Sequence, residues 1–245
     1  MKNKICIVMI LVLTAIFAVS TYLYLSEYLK DKEQTDEFES IAQAVEDSGQ
    51  CSDNKYADLY AQNNDFIGWI KIEDTVIDYP VMQSKDNPNF YLDHNFNKEY
   101  SRFGVPYMQE NCSLSSDNII VYGHNMKNKS MFNELTNYKD KDFYNTHRYI
   151  QLDTLSEQRK YEVISVFKTV AYANNGFKYY EFVNADSQED FSAFIEKCQA
   201  LSFYDTGVNA EYGDKLITVS TCEYSQNNGR FVVVAKLIEV NSYET

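Results

Sequence analysis

A cysteine, an arginine and a histidine in this chain have the types and positions that acyl-transfer chemistry needs. Cys222 ends the segment Thr218-Val219-Ser220-Thr221-Cys222, Arg230 follows after seven residues, and His124 lies far upstream. A thiolate attacks a carbonyl carbon, an imidazole moves protons between the thiol and the amines, and an arginine, always protonated, stabilises the oxyanion. If the three side chains converge, they support a cysteine transpeptidase reaction that needs neither a metal nor a cofactor.

The alternation of side chains along a strand places these groups at strand ends, on one side of a predicted sheet. Cys222 falls on the face opposite Ile217, and His124 falls on the face opposite Ile119, where both isoleucines belong to predicted core faces. Arg230 likewise falls opposite the apolar face of the last strand. The seven-residue connection allows an antiparallel hairpin in which Cys222 and Arg230 are cross-strand neighbours. We therefore expect all three side chains to project from the outer face, away from the core.

Each of these residues alone has a more common structural explanation. A single cysteine near a strand end is more often a small buried hydrophobe, and a single histidine in a loop is usually a surface residue. His94, at a predicted helix end, and His147, in a polar stretch, are the competing bases. Neither has the strand-end position of His124, so the combination favours His124.

The remaining cysteines predict neither a metal site nor a disulfide framework. The chain has five cysteines, with no C-x-x-C pair and no zinc-finger spacing. Cys6 lies in the apolar leader. We expect Cys51, Cys112 and Cys198 to be unpaired structural or surface residues.

Composition indicates a folded, acidic protein. Of 245 residues, 44% are hydrophobic and 15% aromatic, which supports a core and excludes a disordered chain. The formal net charge of −14 repels phosphate backbones, so nucleic-acid binding is not expected.

The N-terminus carries a segment long enough to cross a membrane. The 21 residues from Ile5 to Leu25 contain no charge and follow two lysines. At about 1.5 Å per residue they span roughly 30 Å, the hydrocarbon thickness of a bilayer. A cleaved signal peptide is the alternative, with Ala18-Val19-Ser20 as its cleavage site. The continued apolar run beyond this site favours an uncleaved anchor.

This leader divides the chain into four predicted parts. Residues 1–4 form a cytoplasmic tail, residues 5–25 the transmembrane anchor, residues 26–54 a helical stalk or an ordered N-terminal helix, and residues 55–245 the catalytic domain. The short tail and the large following domain predict that the N-terminus lies inside and the domain outside the cell.

The main domain is predicted to be rich in strands, with a few helices. Such a pattern favours a closed or nearly closed barrel with helical insertions. The predicted strands cover residues 66–72, 76–82, 104–108, 118–122, 149–152, 160–172, 215–221 and 230–240. The predicted helices of this domain cover residues 56–62, 130–135 and 187–200.

The segment Thr218–Cys222 resembles the TLxTC signature of sortases, with valine in place of the usual leucine. Arg230 resembles the family's essential arginine, and Tyr122-Gly123-His124 resembles its catalytic histidine segment. Other stretches make the chain similar to class B sortases in particular. They are Phe66-Ile67-Gly68-Trp69-Ile70, Tyr79-Pro80-Val81-Met82-Gln83, Asp86-Asn87, Tyr91-Leu92 and Cys222-Glu223-Tyr224.

The resemblance implies an eight-stranded, mainly β sortase barrel outside the membrane of a Gram-positive bacterium. It implies that Cys222 is the nucleophile, His124 the general acid and base, and Arg230 the stabiliser of the transition state. Such enzymes cut the C-terminal sorting motif of a surface protein after threonine and hold the product as a thioester. They then transfer it to an amine of a peptidoglycan precursor of the lipid II type. The implied groove residues are Tyr122, Ser220, Thr221, Glu223, Leu92 and Tyr180.

Two other functions stay open at this stage. A surface cysteine protease would transfer the acyl group to water, although a papain-like enzyme places its cysteine before its histidine. A non-catalytic, anchored surface scaffold would carry the same residues without using them.

Overall fold

The computed structural model describes residues 2–49, 55–171 and 176–243. The chain divides into two compact units, residues 1–44 and 45–245. Helix α1, Lys2–Gly49, runs through the predicted anchor and most of the predicted stalk without a break. It is long and apolar enough to span a membrane. The apolar side chains between Ile5 and Leu25 are exposed.

The second unit is built around a closed barrel of eight strands, as predicted. The strands pair in the order β1-β2-β3-β4-β7-β8-β6-β5, and β5 returns to pair with β1. They are β1 Phe66–Lys71, β2 Asp78–Met82, β3 Tyr107–Met108, β4 Asn118–Tyr122, β5 Tyr149–Asp153, β6 Glu157–Val170, β7 Leu216–Glu223 and β8 Gly229–Ser242.

Short helices fill the connections between the strands. The α-helices are α2 Ala57–Gln62, α3 Lys141–Thr146 and α4 Gln188–Leu201. The 3₁₀ helices are Phe90–Leu92, Asn133–Lys139 and Tyr179–Glu181. In α4 the side chain of Ser187 accepts a hydrogen bond from the Asp190 N–H at 3.2 Å and caps the helix. Its apolar stripe, which includes Phe191 and Cys198, is buried.

The predicted strand over residues 104–108 and the predicted helix over residues 130–135 are wrong in extent or place. The strand predicted over residues 104–108 is reduced to Tyr107–Met108, because Gly104 has a φ of +56° and the Val105 N–H bonds to the Tyr91 carbonyl. The helix predicted over residues 130–135 begins only at Asn133. Met131 has a φ of +58°, which a right-handed helix excludes.

The outer face from which the three site side chains were expected to project is largely covered along β7. Thr218 and Ser220, on the same face as Cys222, are fully buried. The Thr218 hydroxyl donates to the Asn118 amide oxygen at 2.8 Å, and Ser220 shares a 2.7 Å hydrogen bond with the Tyr179 hydroxyl. The 3₁₀ segment that carries Tyr179 therefore contributes to covering this face, and Cys222 at the strand end stays partly exposed.

Candidate active site

The register of the last two strands places Cys222 opposite Arg230. The two residues are Cα partners in the antiparallel pair of β7 and β8, as the seven-residue connection predicts. Gly229 faces the Glu223 carbonyl so closely that a Cβ atom would collide with it. The absence of a side chain at this position lets the strands pair up to the loop.

A parallel strand pairing brings the histidine segment level with Cys222 along the sheet. Strand β4 pairs in parallel with β7, with Tyr122 opposite Ser220. Beyond the strand end, the Gly123 N–H donates to the Ser220 carbonyl at 3.1 Å, and the Thr221 hydroxyl donates to the Gly123 carbonyl at 2.7 Å. Since both chains run in the same direction, His124 reaches the level of Cys222, two residues beyond that pair.

The residue before the histidine has no room for a side chain. A Cβ atom on Gly123 would lie 2.5 Å from the ring of Phe132, whose N–H donates to the His124 carbonyl at 2.8 Å. The chain from His124 to Phe132 therefore folds back over the glycine. This packing fixes where the backbone of His124 leaves the sheet.

The ring of His124 is oriented by a backbone carbonyl. Its Nε2 atom lies 2.7 Å from the Leu92 carbonyl oxygen. Because a carbonyl only accepts hydrogen bonds, Nε2 must carry a hydrogen. Nδ1 is then the ring nitrogen that can exchange a proton with a thiol or an amine.

One groove collects most of the predicted site residues. A cavity of about 610 Å³ is lined by Cys222, His124 and Arg230. Five of the six predicted groove residues also line it, namely Tyr122, Ser220, Thr221, Leu92 and Tyr180. The structure thus brings together side chains from the three strands β4, β7 and β8, from the loop after β4 and from two 3₁₀ helices.

Glu223 is the predicted groove residue that the structure places differently. Its carboxylate lies 2.8 Å from the Lys168 Nζ and accepts hydrogen bonds from the N–H and hydroxyl of Ser225. Burial raises the pKa of this carboxyl, but the bonds from Lys168 and Ser225 outweigh burial and leave the pKa below its usual value. This arrangement closes the base of the loop between β7 and β8.

A glutamine missed by the sequence analysis holds the floor of the groove. The Gln109 side chain accepts a hydrogen bond from the Tyr122 hydroxyl and donates to the Asn111 amide oxygen and the Tyr180 carbonyl, at 2.6 and 3.0 Å. The Gln83 amide in turn donates to the Gln109 carbonyl at 2.8 Å. Gln83 ends one of the stretches that resemble class B sortases, whereas no quoted motif contains Gln109.

The competing bases lie elsewhere. The Nδ1 atoms of His94 and His147 each lie 2.8 Å from a carbonyl four residues earlier, and each ring stacks on the phenylalanine there. Of the chain's three histidines, all within the described residues, His124 is the one that lines the cavity.

The other cysteines of the barrel unit are poor nucleophiles where the structure describes them. Cys112 and Cys198 are buried and unpaired. Burial raises the pKa of the Cys112 thiol to about 11 and raises the pKa of Cys198 as well. Cys51 lies outside the described residues.

The Sortase domain family model matches residues 70–238. The sortase B of Staphylococcus aureus is 31% identical over 249 residues, covering 98% of this chain and 99% of the relative. The chain belongs to the class B sortases. The sortase B of Listeria monocytogenes is 37% identical over 186 residues, covering 74% of this chain and 73% of the relative.

Solved sortase B structures have the same fold as this sortase. A Staphylococcus aureus sortase B–substrate complex superposes with a TM-score of 0.77 at 30% identity, covering 86% of this chain and 99% of that chain. The sortase B of Clostridium perfringens superposes with a TM-score of 0.68 at 36% identity, covering 74% of this chain and 98% of that chain. This sortase is therefore a cysteine transpeptidase, as the resemblance implied.

Proposed function

We propose that this sortase cleaves the C-terminal sorting motif of a surface protein after a threonine. It then transfers that protein to an amine of a peptidoglycan precursor of the lipid II type. The observation that carries the proposal is the convergence of Cys222, His124 and Arg230 on one cavity. Two similar structures, a sortase B–substrate complex and a sortase B complexed with triglycine, support a groove that accepts peptide chains.

In the proposed first step the Cys222 thiol gives its proton to His124 Nδ1, and the resulting thiolate attacks the threonine carbonyl carbon. A C–S bond forms, and the electron pair moves to the carbonyl oxygen, where the Arg230 guanidinium donates hydrogen bonds. The C–N bond then breaks, and the amine leaves with a proton from His124 Nδ1. The product is a thioester on Cys222.

The second proposed step reverses the first with a new amine. The acceptor nitrogen attacks the thioester carbon and gives its proton to His124, and the Cys222 thiolate leaves. Arg230 stabilises the oxyanion again. The acyl group is thereby joined to the acceptor through an amide bond, and the enzyme is regenerated.

The groove residues are proposed to hold the sorting motif in extended form. Tyr122, Ser220, Thr221, Leu92 and Tyr180 line the cavity and are suited to this task.

The carboxylate of Glu223 binds Lys168. The proposed contribution of Glu223 is therefore its backbone N–H, as a second donor to the oxyanion.

The proposed location follows from helix α1. The helix would anchor the chain in the cell membrane by a single span, with the N-terminus in the cytoplasm and the barrel outside. Its length and apolar composition support a membrane span.

The test is a peptide assay with the full chain in detergent micelles. A library of peptides with threonine at varied positions is incubated with and without an amine acceptor. We expect cleavage after threonine and, with the acceptor, a new amide product. Hydrolysis of the peptide with no amide product, even when the acceptor is present, would favour a protease. If no peptide is cleaved, the result would favour a scaffold.

Three substitutions separate the proposed roles. Cys222→Ala should abolish cleavage, and Arg230→Ala should lower kcat by about 10² to 10³. His124→Ala should lower kcat by about 10² to 10⁴, whereas His147→Ala, a histidine outside the groove, should leave it unchanged. Equal losses for His124→Ala and His147→Ala would contradict the assigned base.

A further inference from the structure

The side chain of Asn125 joins the histidine segment to the nucleophile's own backbone. Asn125 follows His124 directly, and its Nδ2 donates to the Cys222 carbonyl at 2.9 Å. The Tyr224 hydroxyl, two residues beyond the cysteine, donates to the Asn125 carbonyl at 2.9 Å. Two hydrogen bonds therefore tie the residue after the proposed base to the strand end that carries the proposed nucleophile.

The orientation of the Asn125 amide is fixed by a second asparagine. The Nδ2 of Asn133 lies 3.1 Å from the Met126 carbonyl and 2.6 Å from the Asn125 Oδ1. A backbone carbonyl only accepts, so the Asn133 atom that faces it must be nitrogen. The Asn125 atom that faces Asn133 must then be oxygen, which leaves the Asn125 nitrogen for the Cys222 carbonyl. The carbonyls of Met126 and Cys222 therefore allow only one orientation of the Asn133 and Asn125 side-chain amides.

The hydrogen bond between Asn125 and Cys222 lies next to the reacting groups, so its loss is expected to affect the reaction. The pairing of β4 with β7 ends at Tyr122 and Ser220. Beyond this point the bond from the Gly123 N–H to Ser220 and the bond from Thr221 to the Gly123 carbonyl still join the two chains. Asn125 supplies the next contact, at the level of the reacting groups. A shift of about 1 Å in a reacting group costs up to roughly 100-fold in rate.

We propose that Asn125 is a positioning residue for the transpeptidation, holding His124 at its working distance from Cys222. The inference rests on the proposed roles of His124 and Cys222. Asn125 does not line the cavity, and it contacts Cys222 at the backbone carbonyl, so it acts through His124. Asn133 sets the direction in which Asn125 donates.

The first test compares Asn125→Ala with Asn128→Ala in the full chain, in detergent micelles, using the peptide assay. Asn128 belongs to the same loop but is exposed, and its amide oxygen accepts hydrogen bonds from the N–H and the hydroxyl of Ser130. We expect Asn125→Ala to lower kcat about 10- to 100-fold with KM within twofold. Asn128→Ala should keep the full rate. A full rate for Asn125→Ala, or a loss confined to KM, would overturn the proposal.

The second test asks whether Asn125 acts through His124. The rate at which iodoacetamide alkylates Cys222 is followed by mass spectrometry of the Cys222 peptide in four proteins: the parent, Asn125→Ala, His124→Ala and the double variant. We expect both single variants to slow alkylation and the double variant to be no slower than His124→Ala. Additive losses would show that Asn125 does not work through the histidine.

The two tests keep this inference separate from the proposed function. If Cys222 of the His124→Ala variant is alkylated at the parent rate and this variant also cleaves peptide at the parent rate, the proposed base is wrong. If His124→Ala is impaired and Asn125→Ala is not, only the positioning role fails. If Asn125→Ala lowers the midpoint of thermal unfolding, the isosteric Asn125→Asp variant separates the loss of the hydrogen bond from the loss of stability. It keeps the acceptor for Asn133 and loses the donor to Cys222, so an unchanged kcat would overturn the proposal.

Discussion

The orientation of His124 depends on a main-chain carbonyl, and a glycine leaves space for that carbonyl. His124 Nε2 bonds to the Leu92 oxygen, and a Cβ atom on Gly104 would lie 2.6 Å from the same oxygen. Gly104 also has a φ of +56°, a conformation that glycine adopts without strain. A position 20 residues before the histidine in sequence therefore controls the histidine's hydrogen-bond partner.

This dependence predicts the effect of Gly104→Ala. The added methyl group would collide with the carbonyl oxygens of Tyr91 and Leu92, at 2.3 and 2.6 Å, and would displace both. The ring of His124 then loses its orientation, and we expect kcat in the peptide assay to fall about tenfold or more. Gly207→Ala is the matched control, because Gly207 also has a positive φ, +74°, with nothing within 4 Å of its added Cβ. Both variants should lose about 1–2 kcal/mol of unfolding free energy from backbone strain. Equal activities in the two variants would contradict the role given to the Leu92 carbonyl.

At the residue scale, the sequence showed side-chain chemistry better than main-chain contacts. Cys222, His124 and Arg230 were named from residue type and spacing, and the structure places all three in one cavity. Leu92 was named only as a groove residue, and the contact of its main-chain carbonyl with His124 was not predicted. Asn125 was not singled out, because asparagines in loops are common and its partner is a backbone atom 97 residues away.

At the element scale, the loop between β7 and β8 is held by a partly buried ion pair. Lys168 on β6 lies 2.8 Å from Glu223, and their side chains are 34% and 11% exposed. The exposed pair Lys178–Glu181 provides a comparison, with side chains 49% and 61% exposed. Solvent screens the exposed pair more strongly, so only the first pair is expected to contribute to stability.

The Lys168–Glu223 pair predicts a pH-dependent loss of stability in Lys168→Met. The folded-state pKa of Glu223 is lowered, so its contribution is present above the unfolded pKa of about 4.5 and is lost as pH falls through the folded pKa. We expect Lys168→Met to lower the unfolding free energy by about 1 kcal/mol at pH 7, a value limited by the partial exposure of Lys168. The difference should shrink below about pH 4.5.

Urea unfolding followed by the fluorescence of Trp69, the chain's single tryptophan, measures this difference between pH 7 and pH 3. Lys178→Met should match the parent across the range. A difference for Lys168→Met that persists unchanged at pH 3 would show that the ion pair is not its source.

The elements themselves were predicted best where the hydrophobic pattern is long. Strand β4 and helix α4 begin and end within one residue of the prediction. Strand β3 was overestimated, because its flanking residues find hydrogen-bond partners in a loop. The buried outer face of β7 was not predicted either, since the segment that carries Tyr179 covers it and nothing in the local pattern shows this.

At the scale of the whole molecule, the site depends on a pairing that local patterns do not show. The parallel pair of β4 and β7 joins residues about 98 positions apart, and the barrel closes only when β5 returns to β1. Mainly β architecture was predictable from the number of strands. Strand order required long-range contacts, and the convergence of His124 with Cys222 therefore stayed conditional until the fold was known.

The proposed topology predicts which thiol is accessible outside the cell. In intact cells, a membrane-impermeant thiol reagent should modify Cys222, because the barrel is proposed to face outward and Cys222 lines an open groove. Cys112 and Cys198 should stay unmodified, since both are buried. Mass spectrometry of the cysteine-containing peptides measures the extent of modification. Modification of Cys222 only after cell lysis would contradict the orientation.

The most direct test of the central claim measures the intact mass of the full chain after mixing with a substrate peptide. This peptide is one that the enzyme cleaves in the peptide assay, and no amine acceptor is present. The account predicts a covalent adduct whose mass equals that of the peptide's acyl portion up to and including its threonine. The adduct should lie on Cys222, and hydroxylamine should remove it. Addition of an amine acceptor should discharge the adduct, and Cys222→Ala should never form it. Cleavage of the peptide with no adduct on the parent chain under rapid acid quench, or an adduct that persists in Cys222→Ala, would contradict a Cys222 thioester.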